Sequence, residues 1–118
     1  MTIGKLSEKT GISTYTLRYY EKKGLIKVSR DAAGRRVFDE ADVEWIRFIQ
    51  RLKDTGMLLR DIKRYSKLRY QGDSTIEERM KILEEHRKYV SAEQEKWENN
   101  MKHLNEKIKI YRKMIDFK

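Results

Sequence analysis

The chain has no cysteine and no proline among its 118 residues. Without cysteine there can be no disulfide, no thiolate metal ligand and no thiol redox switch. Without proline, and with only 6 glycines, little interrupts long helices, and a turn-rich β-sandwich is disfavoured. No apolar run approaches the roughly 18 residues of a membrane span. The opening Met-Thr-Ile-Gly-Lys-Leu-Ser lacks the apolar segment of a signal peptide, so a cytoplasmic protein without membrane association is expected. Apolar residues are themselves scarce, 38% against 40% charged. That balance predicts a small globular head with long solvated helices rather than one large core.

Catalytic chemistry is also missing. There is no Gly-rich phosphate loop, no set of residues resembling a nucleophile with its base, and no carboxylate pair with an evident enclosure, so no enzyme is expected. The two histidines, His86 and His103, are too far apart on one predicted helix for i,i+4 ligation. Neither a metal nor another cofactor is expected.

What is abundant is positive charge. The chain holds 28 Lys and Arg against 19 Asp and Glu, a net +9. Residues 1–72 contain 17 cations against 9 anions, a balance of +8, whereas the remainder contains 11 against 10, a balance of +1. The field belongs to the first part of the chain, and a polyanion is its natural partner.

That part reads as a helix-turn-helix. Thr2 can cap a first helix with Ile3, Leu6 and Thr10 inward, and Gly11 can end it. A second helix follows at once between the capping Ser13 and Gly24. Leu17 and Tyr20 share its buried side, which leaves Thr14, Tyr15, Arg18, Tyr19 and Lys22 to project outward. This face offers cations and hydroxyls and no carboxylate, a mixture suited to the phosphates and base edges of a DNA groove. Next, Leu25, Ile26 and Val28 predict a strand, Arg30 to Gly34 a turn, and Arg35 to Phe38 a returning strand. Such a hairpin is a wing able to set Arg30, Arg35 and Arg36 against flanking phosphates.

A third helix is predicted from the N-cap Asp39 to Thr55-Gly56. Val43, Ile46, Ile49 and Leu52, with Trp45 and Phe48 beside them, supply the core of the head. A fourth runs from about Leu58 to Arg69 with Leu59, Ile62, Tyr65 and Leu68 inward and Arg60, Lys63, Arg64 and Lys67 outward. After the break at Gln71-Gly72-Asp73, Ser74 and Glu77 form a capping-box pattern. The long helix that follows carries Ile76, Leu83, Val90, Trp97, Leu104 and Tyr111 every seven residues. Met80, Arg87, Gln94, Met101, Ile108 and Ile115 interleave with them. The seam lasts about six heptads, roughly 60 Å. One helix cannot bury it, so a homodimer is expected, with Leu83, Val90, Trp97, Met101, Leu104, Ile108 and Tyr111 at the interface.

The segment from Ile3 to Phe38, with Leu17-Arg18-Tyr19-Tyr20-Glu21, Gly24-Leu25-Ile26 and Gly34-Arg35-Arg36-Val37-Phe38, resembles the winged-helix DNA-binding domain of MerR-family transcription regulators. The resemblance implies a mainly α chain. A winged helix-turn-helix head with a small β-hairpin wing would occupy residues 1–72, and a long antiparallel coiled-coil dimerisation helix residues 73–118, with no separate effector domain. It implies a homodimer on double-stranded DNA at a pseudo-palindromic promoter site, bending and untwisting the duplex until RNA polymerase can use it. The DNA-facing set it implies is Thr14, Tyr15, Thr16, Arg18, Tyr19 and Tyr20 on the second helix, Arg30, Arg35 and Arg36 on the wing, and Arg60 on a second wing. Two positions depart from the family pattern: Phe38 stands where a tyrosine is common, and Leu58 where a capping residue is usual. The alternative reading is a DNA-bending architectural or excisionase-like recombination accessory protein. No small-molecule effector is identified; the junction of the fourth helix with a partner's long helix, near Tyr65, Tyr70 or Trp97, is where one would sit.

Overall fold

The computed structural model describes residues 1–117. Its elements, in order, are α1 (Ile3–Thr10), α2 (Thr14–Lys22), β1 (Ser29–Arg30), β2 (Arg36–Val37), α3 (Glu40–Asp54), α4 (Leu59–Gln71), a 3-10 turn (Asp73–Thr75) and α5 (Ile76–Asp116). The fold is mainly α with a winged helix-turn-helix at its start. Two compact units are present, Met1–Ile82 and the residues from Leu83 onward.

Local chemistry sets the helix ends of the first unit. The Thr2 hydroxyl accepts from the Lys5 amide and Gly11 closes α1 with φ 73°. The Ser13 hydroxyl accepts from the Thr16 amide to start α2. At its other end, Gly24 takes φ 77° and the Leu25 amide donates back to the Tyr20 carbonyl, the left-handed closure that glycine permits. At α3, Asp39 and Asp42 each accept from the other's backbone N–H, a reciprocal box. Burial holds the Asp42 carboxyl above its ordinary range, and the Asp39 backbone hydrogen bond pulls it back only in part.

The core gathers Leu6 from α1, Leu17 and Tyr20 from α2, Val43, Trp45, Ile46, Ile49 and Leu52 from α3, and Ile62 and Tyr65 from α4. Leu25 and Ile26 are fully committed to it as well, which shortens the expected first strand. The β ladder begins only at Ser29, pairing Ser29 with Val37 and Arg30 with Arg36. The Leu25 carbonyl is a node. It accepts the Trp45 indole N–H at 2.9 Å and the Ser66 hydroxyl at 2.5 Å, tying the wing's approach to both α3 and α4. Phe38, also buried, locks the far end of the wing by exchanging backbone hydrogen bonds with Met1.

Two local expectations are corrected. Leu59, expected inward, is 37% exposed, and the small polar Ser66 is buried instead because its hydroxyl has the Leu25 carbonyl to satisfy. The Ser74–Glu77 capping box gives way to a 3-10 turn. Thr75 is buried there and donates to the Leu68 and Gly72 carbonyls while accepting from the Arg79 guanidinium. α4 begins at Leu58 with no side-chain cap.

Candidate nucleic-acid interface

α2 is presented by the packing of its inner side. With Leu17 and Tyr20 buried, the i, i+3 rule turns Tyr15, Arg18, Tyr19 and Lys22 outward, and all four are exposed. Arg18 has no ion pair or hydrogen bond among the described residues. Tyr15 is 79% exposed, an amphipathic ring with no packing to explain it. Tyr19 lies beneath the Lys23 ammonium, 5.6 Å from the ring centre. Thr14 and Thr16 are half-buried at the start of the helix, and Thr16 accepts from the Ser13 hydroxyl at 2.9 Å. Tyr20 is turned the other way. Its ring is buried and its hydroxyl accepts from the Lys53 ammonium at 3.2 Å, so it braces α2 against α3.

The three wing arginines separate by role. Arg36 makes a forked contact with Glu21 at 3.2–3.3 Å, with both side chains about a quarter exposed. Arg30 donates to the Gly34 carbonyl at 2.9 Å and stands 3.6 Å from the same Glu21. Glu21 thus anchors the wing to the last turn of α2 and neutralises part of its charge. Arg35, at the tip, is the most exposed of the three and, among the described residues, pairs only with Asp31 at 3.1 Å within its own turn. Asp31 also accepts from the Ala33 and Arg35 amides, which fixes that turn. Arg60, in the first turn of α4, is 81% exposed at its side chain and 3.7 Å from neighbouring Asp61.

In the second unit the heptad residues lie along one helix. Trp97, Met101, Leu104, Ile108 and Tyr111 are exposed on a common stripe and Leu83 and Val90 are half-buried; α5 contains no buried residue. Reading only the seam misses Ile110, Met114 and Phe117. Ile110 and Met114 are exposed at i, i+4 spacing on another side of the same helix, and exposed Phe117 follows just past its end. Their spacing was visible in the sequence, but the stronger heptad signal masked it. In the head, Lys27 was missed: it follows the buried Leu25-Ile26 pair, and only the fold brings it to Tyr70.

Comparison with known proteins agrees with this geometry. The family described as MerR HTH family regulatory protein matches residues 1–68, and one described as MerR, DNA binding, matches residues 43–107. An HTH-type transcriptional regulator of Haemophilus influenzae is 42% identical over 113 residues, covering 95% of this chain and 84% of the relative. The regulator AdhR of Bacillus subtilis is 39% identical over 74% of this chain, which spans 63% of that relative's length. Among solved structures, HiNmlR, a MerR family regulator lacking the sensor domain and bound to promoter DNA, superposes with a TM-score of 0.84 at 42% identity. That match covers 95% of this chain and 90% of the other. A MerR family regulator from Listeria monocytogenes superposes with a TM-score of 0.89 at 31% identity, over 94% of this chain and 85% of the other. The chain belongs to the MerR family of helix-turn-helix transcriptional regulators.

Proposed function

We propose that this protein binds double-stranded promoter DNA as a homodimer and controls transcription by deforming the site, acting by binding and not by catalysis, in the cytoplasm. The observation that carries the reading is the outer face of α2: cations and phenols in the open, with Arg18 unpaired among the described residues. Arg18 and Tyr19 contact base edges or adjacent phosphates, and Thr14, Tyr15 and Thr16 line the groove. Arg35 and Arg30 meet the flanking backbone from the wing, and Arg60 from the start of α4. Arg36 and Tyr20 act one step back, holding the wing and the helix in place. The exposed stripe on α5 is covered by the same stripe of a second chain, and a two-fold protein calls for a pseudo-palindromic site. Bending the duplex costs on the order of a few kcal/mol, which phosphate contacts made only on bent DNA can offset. RNA polymerase is engaged indirectly, through the altered promoter. HiNmlR, similar over nearly the whole chain, is seen bound to promoter DNA.

Footprinting on genomic fragments tests this. Protection centred between promoter elements, weakening steeply with salt, is expected. Protection at recombination sites would instead make the protein an architectural factor, and no salt-sensitive duplex binding would end the reading.

A further inference from the structure

Between the end of α2, the approach to the wing and α4 lies a cleft of about 290 Å³, lined by Gly24, Lys27, Lys63, Lys67, Tyr70 and Gln71. It has three ammonium groups and no carboxylate in its lining. The head's ion pairs engage other cations, among them Lys9, Arg30, Arg35, Arg36 and Arg60. Lys27, Lys63 and Lys67 have no carboxylate partner among the described residues. An anion placed in this cavity would meet lysines from both the approach to the wing and α4, with no acidic side chain in the lining to compete for them.

The remaining lining is arranged as donors. The Tyr70 hydroxyl accepts the Lys27 backbone N–H at 3.0 Å, so its own hydrogen remains available to a ligand. The Tyr70 ring is held under two cations, the Lys27 ammonium at 5.3 Å and the Arg69 guanidinium at 5.1 Å from its centre. Gln71 adds an amide. Gly24 sits at the rim in the left-handed conformation, φ 77°, and the Lys63 side chain lies at ordinary van der Waals distance from where a Cβ there would stand. Lysines act as mobile point charges and suit a compact polyvalent oxyanion more than a planar carboxylate. The volume is at the lower end of ligand pockets, which start near 300 Å³, and fits a phosphate with a small organic remainder but no bulky apolar effector.

We propose that this cleft is a phosphate-binding site, taking either a backbone phosphate of duplex DNA or the phosphate group of a small free ligand. Only the first source rests on the DNA-binding reading. The test uses the full chain, wild type and Lys63→Ala/Lys67→Ala, whose exposed positions make unfolding an unexpected complication. Inorganic phosphate is titrated at constant ionic strength against chloride while backbone amide NMR signals are followed. The salt dependence of duplex binding is measured in parallel.

A free ligand as source gives saturable phosphate binding with shifts at Lys27 and Gln71, weakened about tenfold or more in the variant, and an unchanged salt slope. A backbone phosphate as source gives a slope smaller by about 1 to 2 in the variant, near 0.9 per lost contact, with sequence preference retained. Tyr70→Phe, which removes one donor and no charge, weakens whichever binding is found by a few-fold. No phosphate response beyond the chloride control, together with an unchanged salt slope, overturns the proposal. If the wild type ignores duplex DNA altogether, the functional reading fails on its own, and the phosphate titration still decides the cleft.

Discussion

In the first unit, apolar side chains from four helices and the wing converge, so that Leu6, Leu17, Tyr20, Leu25, Ile46 and Ile62 are sealed from water. From Leu83 onward, Trp97, Met101, Leu104 and Ile108 are no less apolar, yet all stand more than half exposed. The contrast lies in partners available, not in composition. A head made of several short helices supplies its own neighbours, whereas a single helix must borrow them from another chain. Charge divides the same way: a balance of +8 in residues 1–72 against +1 beyond. On the proposed reading, the head meets a polyanion and the helix its own copy.

Breaking the borrowed interface gives the largest effect. Leu104→Asp places a charge within the seam, where an unpaired buried ion costs roughly 3–5 kcal/mol. Sedimentation should show a monomer, and duplex affinity should drop more than about a hundredfold as two-site binding is lost. A variant that still sediments as a dimer would remove this stripe from the interface while leaving the head untouched.

The next effect sharpens the other half of the contrast. Arg18→Ala should cost about 1–3 kcal/mol of binding to a preferred site, with helix content and oligomeric state unchanged. Glu21→Gln makes the opposite perturbation on the same surface. It removes one negative charge that faces both Arg36 and Arg30, so affinity for unrelated duplex should rise while discrimination between sites falls. Gel-shift titrations of preferred and scrambled duplexes read both; a Glu21→Gln protein with unaltered discrimination would deny the wing's positioning role.

How legible this was depends on range. Thr2, Ser13, Asp39 and the glycines that follow the helices announce helix ends through bonds spanning three or four residues, so the helix-turn-helix and the third helix could be read directly. The heptad stripe is periodic and equally plain. The wing was harder, because Leu25 and Ile26 look like strand residues and serve the core. Their fate depends on Trp45 and Ser66, 20 and 41 residues away. Arg36 likewise looked like a free cation, and only folding brings Glu21 to it. The three-lysine cleft joins Gly24 to α4, a juxtaposition with no local signal.

Ser66 gives a smaller effect inside the head. Ser66→Ala leaves the Leu25 carbonyl one donor, Trp45, and should cost about 1 kcal/mol. Combining it with Trp45→Phe orphans that buried carbonyl, so the pair should cost more than the sum of the singles in denaturant melts. Strict additivity would mean the two donors do not share one acceptor in solution.

The smallest effect is at Asp42. Its carboxyl is held above the ordinary range chiefly by burial, so between its unfolded and folded pKa the native chain binds the extra proton. In that window stability falls as pH rises, and below it the cost of the buried charge is gone. Asp42→Asn keeps an oxygen for the Asp39 amide, which Asp42 now accepts at 2.9 Å, and should alter stability at neutral pH by no more than about 0.5 kcal/mol. The informative quantity is wild type minus variant, which isolates this one carboxyl from the rest of the chain. That difference should grow more favourable to the wild type as pH drops into the acid range and stay flat above neutrality. A difference running the other way would mean that the hydrogen bond at Asp39, and not burial, governs this carboxyl. The capping box would then favour the ionised form, and the head would have one more reason to prefer neutral pH.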